Sequence, residues 1–152
     1  MLSAMGTVGA VVVSLWLARD ARKTRLYLDC AMTDEEQDQE QDQEWVHVIE
    51  IKNVGNTSTQ IISEGITPFK IKRFHESFMS STYIGGDPQG YLIGVDSGKK
   101  MRIIIDNVKF KKVWKKCYAK FKKKKFYIYV SDHTGRAHYQ TIYYTLEDID
   151  EI

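Results

Sequence analysis

Seventeen consecutive residues without a charge, Leu2 to Ala18 (LSAMGTVGAVVVSLWLA), run up to a basic cluster of Arg19, Arg22, Lys23 and Arg25. At 1.5 Å per residue, a helix of this run reaches about 25 Å, slightly under the roughly 30 Å hydrocarbon core of a bilayer. Ser3, Thr7 and Ser14 dilute its hydropathy, while Trp16 and a snorkelling Arg19 extend its reach into the interface. A helix buried in a water-soluble core rarely stays apolar on every face and then stops at a basic cluster. A secretory signal carries its cations ahead of the apolar stretch, and here they follow it. The run predicts a single transmembrane helix over residues 1–18 and a basic juxtamembrane linker over 19–25. By the positive-inside rule the N-terminus then lies outside, and the rest of the chain lies at the cytoplasmic side of the inner membrane.

Gly6, Ala10 and Ser14 recur every fourth residue and form a stripe of small side chains on that helix. In lipid, where packing drives association, such a stripe is a surface for helix–helix contact and homo-oligomerisation.

About 130 residues remain, enough for one domain with one core. The formal charge of +2 conceals strong segregation. Residues 34–44 hold seven carboxylates and no cation, whereas residues 109–125 hold ten lysines and no acid. Dense like charge with interspersed Gln predicts a disordered acidic loop, without the Gly or the spacing of a calcium loop. Cys30 and Cys117 are expected as free thiols in a reducing compartment, and neither has zinc-like neighbours.

Strands are predicted at 25–32, 45–52, 57–62, 66–74, 91–95 and 100–105, with Asn53-Val-Gly-Asn56 and Asp96-Ser-Gly98 as turns and 79–90 as a loop. From residue 107 the period changes. Phe110, Trp114, Cys117, Tyr118 and Phe121 fall on one face of a helix over 107–121, with Asn107 as its N-cap. The final hairpin pairs 126–131 with 137–146 around Asp132-His-Thr-Gly135. A three-residue loop with Gly135 left-handed pairs Asp132 with Arg136 and sets Phe126, Ile128, Val130, Ile142, Tyr144 and Leu146 on one face. Tyr127, Tyr129, Tyr139 and Tyr143 then share the other. Residues 147–152 form an acidic tail. The sum is a mainly β domain over 26–146, an antiparallel immunoglobulin-like β-sandwich with one amphipathic helix near its C-terminal hairpin.

The anchor Ala4-Met-Gly-Thr-Val-Gly-Ala-Val-Val-Val, the basic linker, the strand end Ile51-Lys-Asn-Val-Gly55 and the Asp132-x-x-Gly135 hairpin together resemble a loose group of uncharacterised small bacterial and phage membrane proteins. The resemblance spans most of the chain and implies architecture and a prokaryotic or phage origin. It carries no catalytic residue.

No phosphate-cradling glycine motif, nucleophile elbow or zinc signature organises the chain, and His47, His75, His133 and His138 lie on separate elements. No enzyme, metal or cofactor is expected. Binding is the stronger expectation. Lys111, Lys112, Lys115 and Lys116 with Trp114, Tyr127, Tyr129, Tyr139 and Tyr143 make a candidate surface for an anionic ligand or an anionic membrane. The competing expectation is a helix that caps the sandwich and merely solvates its lysines, with the acidic loop as their counter-charge. Two functions follow. One is a single-pass scaffold that recruits a cytoplasmic protein or anionic ligand to the inner leaflet, with nucleic acid a less favoured partner. The other is an oligomeric membrane effector, pore-forming or depolarising and of a phage-defence or exclusion type, gated by its cytoplasmic domain.

Overall fold

The computed structural model describes residues 2–21, 23–34, 45–78, 82–85, 87–89 and 92–151. Helix α1 covers Leu2–Ala21. The strands are β1 (Leu26–Asp34), β2 (Trp45–Asn53), β3 (Thr59–Thr67), β4 (Glu76–Ser77), β5 (Thr82–Ile84), β6 (Asp87–Gln89), β7 (Leu92–Val95), β8 (Lys100–Asp106), β9 (Lys125–Asp132) and β10 (Ala137–Tyr143). Helices α2 (Asn107–Phe121) and α3 (Leu146–Glu151) complete the set.

Two antiparallel sheets result. One runs β1-β2-β8-β5, and the other β10-β9-β3-β7-β6 with β4 paired to β3. Alternation explains their contact. Ile49, Ile51, Ile103 and Ile105 of the first sheet and Ile61, Ile66, Phe126, Ile128 and Val130 of the second join one buried cluster. Full burial of such a side chain is worth about 1.5–3 kcal/mol, so the nine drive the sheets together. The expected mainly β, antiparallel architecture is present.

The strand registers give the domain two ends. At one end, the Val54 N–H donates to the Arg25 carbonyl at 2.8 Å and the Arg136 guanidinium to the Thr24 carbonyl at 3.4 Å. This end therefore lies beside the exit of α1. At the other end α2 crosses from β8 to β9 and packs on strands of both sheets. Its Phe110, Trp114 and Cys117 are buried and close the mouth of the core. The β9 strand runs between the two ends, about 23 Å over its seven steps of about 3.3 Å.

Several expectations need correction. Among the described residues no helix is long and apolar enough to cross a membrane. Helix α1 runs past the predicted 1–18 span and takes in Arg19 and Asp20. Arg25 and Lys23 are not a free linker, since both pair with Asp20 at 2.8 Å. The strand predicted over 66–74 does not form. β3 instead extends through Thr67, and Pro68, which cannot donate to a ladder, is followed by bends and a 3-10 turn over Lys72–Phe74. The cap of α2 is Asp106, whose carboxylate accepts from the Lys109 N–H at 3.0 Å, and not Asn107. The acidic tail is largely helical, with Ile149 fully buried. Residues 35–44 of the acidic loop lie outside the described residues, while Asp34 ends β1.

Candidate functional site: the lysine cap

The lysines of α2 and of the four residues behind it gather at the end of the sandwich away from α1, because α2 turns its apolar stripe inward. Lys112, Lys115 and Lys116 are exposed on its outer side, and Lys111 is half-buried. Lys116 is held by Glu76 at 2.7 Å, and that hydrogen bond raises its pKa. The helix ends where Lys122 adopts a left-handed conformation (φ 52) and returns its N–H to the Tyr118 carbonyl at 2.7 Å. Lys123, Lys124 and Lys125 follow at the start of β9.

The segment 68–75, expected as part of a strand over 66–74, is central to the site. From Thr67 it crosses the outer face of β9 and β10, so that Phe69, Phe74 and Phe121 meet edge to face or tilted at 5.1–5.8 Å between centroids. The Lys70 ammonium sits over Tyr127 at 5.1 Å and Tyr139 at 5.9 Å, and Lys123 sits over Phe69 at 3.7 Å. Lys120 lies over Phe121 at 5.2 Å, and Lys125 lies between Tyr127 and Tyr143 at 5.5 and 5.7 Å. The ring quadrupoles hold these ammonium groups in place, each such contact being worth about 0.5–1 kcal/mol when exposed. The pKa of Lys125 is raised, chiefly by hydrogen bonding to Tyr143. Alternating lysine and aromatic residues in 118–127 were a visible signal. Their meeting with Phe69, Lys70 and Phe74 depends on a loop that has no such pattern.

Two residues expected at an open surface are not there. Trp114 is fully buried and packs against Tyr118 at 5.0 Å and Phe126 at 5.7 Å. Tyr129 is 2% exposed, stacked under His75 at 3.7 Å, and burial pushes its pKa up to about 12. The 68–75 segment covers it, so the tyrosine face is not an open platform. Tyr143 is 66% exposed, and Tyr127 and Tyr139 are half-buried.

Beside the N-terminal half of α2 lies a groove of about 590 Å³, floored by Phe78 and Val113 and rimmed by Lys109, Lys112, Lys116 and Glu76. Elsewhere, Asp132 pairs with His138 at 3.0 Å. Burial pushes the Asp132 carboxyl up, but hydrogen bonds from Thr134, His138 and the Arg136 N–H outweigh it and hold the group below the usual range. That carboxylate fixes the hairpin turn. His133 is engaged by Thr59 at 3.1 Å. Both cysteines are free, and burial pushes Cys30 up to about 12 and Cys117 to about 11, which keeps them protonated. Among the described residues no cluster of His, Cys, Asp and Glu is placed to hold a metal ion.

On α1, Ala10 and Ser14 are exposed, as are Val8, Val11, Val12, Val13, Leu15, Trp16 and Leu17. At 100° per residue Ala10 and Ser14 fall in the widest gap between these large side chains, with Leu17 at its edge. The side chains of the first six residues, where the Gly6 position of that stripe falls, lie outside the described ones.

No protein-family model matches the chain, and no curated protein matches it.

Proposed function

We propose that the chain is a membrane-attached binding module, not a catalyst, that presents its lysine cap to an anionic partner on the cytoplasmic side of the inner membrane. One observation carries this reading: α1 leaves the domain at one end, and ten lysines of residues 109–125 gather at the other. A helix clad in exposed valine, leucine and tryptophan is costly in water. Each fully buried side chain of this kind gains about 1.5–3 kcal/mol, which supports insertion of α1 into a bilayer. The Gly6, Ala10 and Ser14 stripe is the face on which two inserted helices pack. The two-sheet framework, read as an immunoglobulin-like sandwich, serves as a rigid spacer between anchor and cap.

The test uses the full chain in nanodiscs of zwitterionic lipid, titrated with fluorescent inorganic polyphosphate. The reading expects saturable binding that is lost when Lys123, Lys124 and Lys125 become serine. Absence of binding at low salt contradicts it.

A further inference from the structure

The position and chemistry of the cap narrow the class of its partner. An anionic bilayer around α1 is poorly placed, because the cap starts about 23 Å from the end where α1 attaches, by the length of β9. An acidic peptide is best gripped by arginine, whose planar fork binds carboxylates bidentately. Residues 109–125 instead hold ten lysines and no arginine, and Arg73 of the crossing segment is stacked over Phe74 at 4.6 Å; a lysine ammonium is a compact point charge suited to phosphate. Single-stranded nucleic acid needs free aromatic faces on which bases stack. Here Phe69, Phe121 and Tyr127 already carry lysine ammonium groups, and Tyr129 is buried under His75. Tyr143 is exposed, but Lys125 stands 5.7 Å from its ring, so these rings position cations more than they offer a stacking platform.

We infer that the lysine cap takes the phosphate backbone of duplex nucleic acid and does not read its sequence. This rests on the anionic-partner reading above and takes up the nucleic acid that the sequence leaves as a less favoured partner. The exposed side of α2 offers lysines and Val108, with none of the Arg, Asn or Gln side chains that make bidentate contacts to bases. Lys112 and Lys120 on α2 and Lys123 to Lys125 behind it spread the charge over the cap, while Lys116 is held by Glu76. Recognition is then electrostatic, with counterion release as its main driving force.

The experiment is fluorescence anisotropy on the full chain in zwitterionic nanodiscs, with a labelled duplex, a single strand of equal length and poly-glutamate as probes. Duplexes of unrelated sequence are expected to bind within about twofold of one another. Their affinity should fall about tenfold per doubling of salt, the slope for about four phosphates. Changing Lys123, Lys124 and Lys125 to serine should weaken the duplex by tenfold or more. The variant Lys52→Ser/Lys99→Ser, at the end beside α1, should leave it within twofold. A single strand bound more tightly than the duplex overturns the inference in favour of stacking. Poly-glutamate bound without either nucleic acid overturns it while the anionic-partner reading survives. If no probe binds, both fail. Equal loss in the two lysine variants also overturns it, because the charge would then act without a located site.

Discussion

The Asn53 amide donates to the Val95 carbonyl across 2.9 Å and so ties the end of β2, in one sheet, to the end of β7, in the other. The same side chain donates to the Thr57 carbonyl at 2.8 Å and accepts from the Gly55 N–H at 3.0 Å, and Asn53 is fully buried. It is a pin between the sheets at the end from which α1 departs. Asn53→Ala strands two buried backbone groups and a half-buried one, and at about 1 kcal/mol for each the variant should lose about 2–3 kcal/mol. Urea unfolding of the full chain checks this.

His47 makes a prediction about acid. The ring is fully buried and stacked on Phe110 at 3.6 Å, and neither nitrogen has a hydrogen-bond partner among the described residues. Burial, with Lys111 adding to it, lowers its pKa from 6.5 to about 4. Between these values the unfolded chain binds a proton that the folded chain refuses. Stability is therefore present above pH 6.5 and is lost as pH falls towards 4, by about 3 kcal/mol from this group. His47→Phe should flatten that part of the stability–pH curve. Phe110 lies on α2, so the packing of the cap should loosen first. Tryptophan fluorescence against pH, in wild type and variant, measures it.

Gly65 is required by close approach and not by its backbone angle. A Cβ there would lie 2.0 Å from the Glu76 carbonyl oxygen, where β4 pairs with β3. Gly65→Ala must push β4 away, and overpacking of this kind costs about 1–3 kcal/mol. The displaced strand carries Glu76, so Lys116 should lose its partner as well. A lowered thermal midpoint with weaker amide protection at Glu76 and Ser77 is the expected result.

Trp114 and Lys115 are neighbours on α2 with opposite burdens. Trp114→Ala opens the end of the core and should cost about 3–5 kcal/mol. Lys115→Ser, on an exposed position, should change stability by about 0.5 kcal/mol or less. Chemical denaturation of the two variants separates packing from surface charge within one helical turn.

Local rules made much of this readable in advance. The 107–121 helix follows its apolar period, and the last hairpin takes the register in which Ala137 faces Ser131, with Gly135 at φ 76. Asp132, Thr134 and Gly135 specify that turn within five residues, so no distant contact is needed. What stayed hidden depends on contacts remote in sequence. The Ile66–Phe74 stretch alternates like a strand, but its Phe69 and Phe74 are claimed by Phe121. Tyr129 sits in a register that points outward and is buried only because His75 arrives from that stretch. Trp114 falls among lysines, but its place on the apolar stripe with Phe110 and Cys117 already points to the core, against the expectation of it at an open surface. The apolar run over residues 2–18 is helical as its composition predicts, and among the described residues no helix is long and apolar enough to cross a bilayer.

The native tryptophans test the central claim, an anchor at one end and a lysine cap at the other. Trp16 lies on α1, Trp45 starts β2 at the cap end, and Trp114 is buried under the cap. In vesicles of brominated zwitterionic lipid, wild-type fluorescence should be partly quenched, and Trp16→Phe should abolish the quenching altogether. Quenching that persists in Trp16→Phe would put the cap at the bilayer, and none in the wild type would leave α1 outside it; either result contradicts the account.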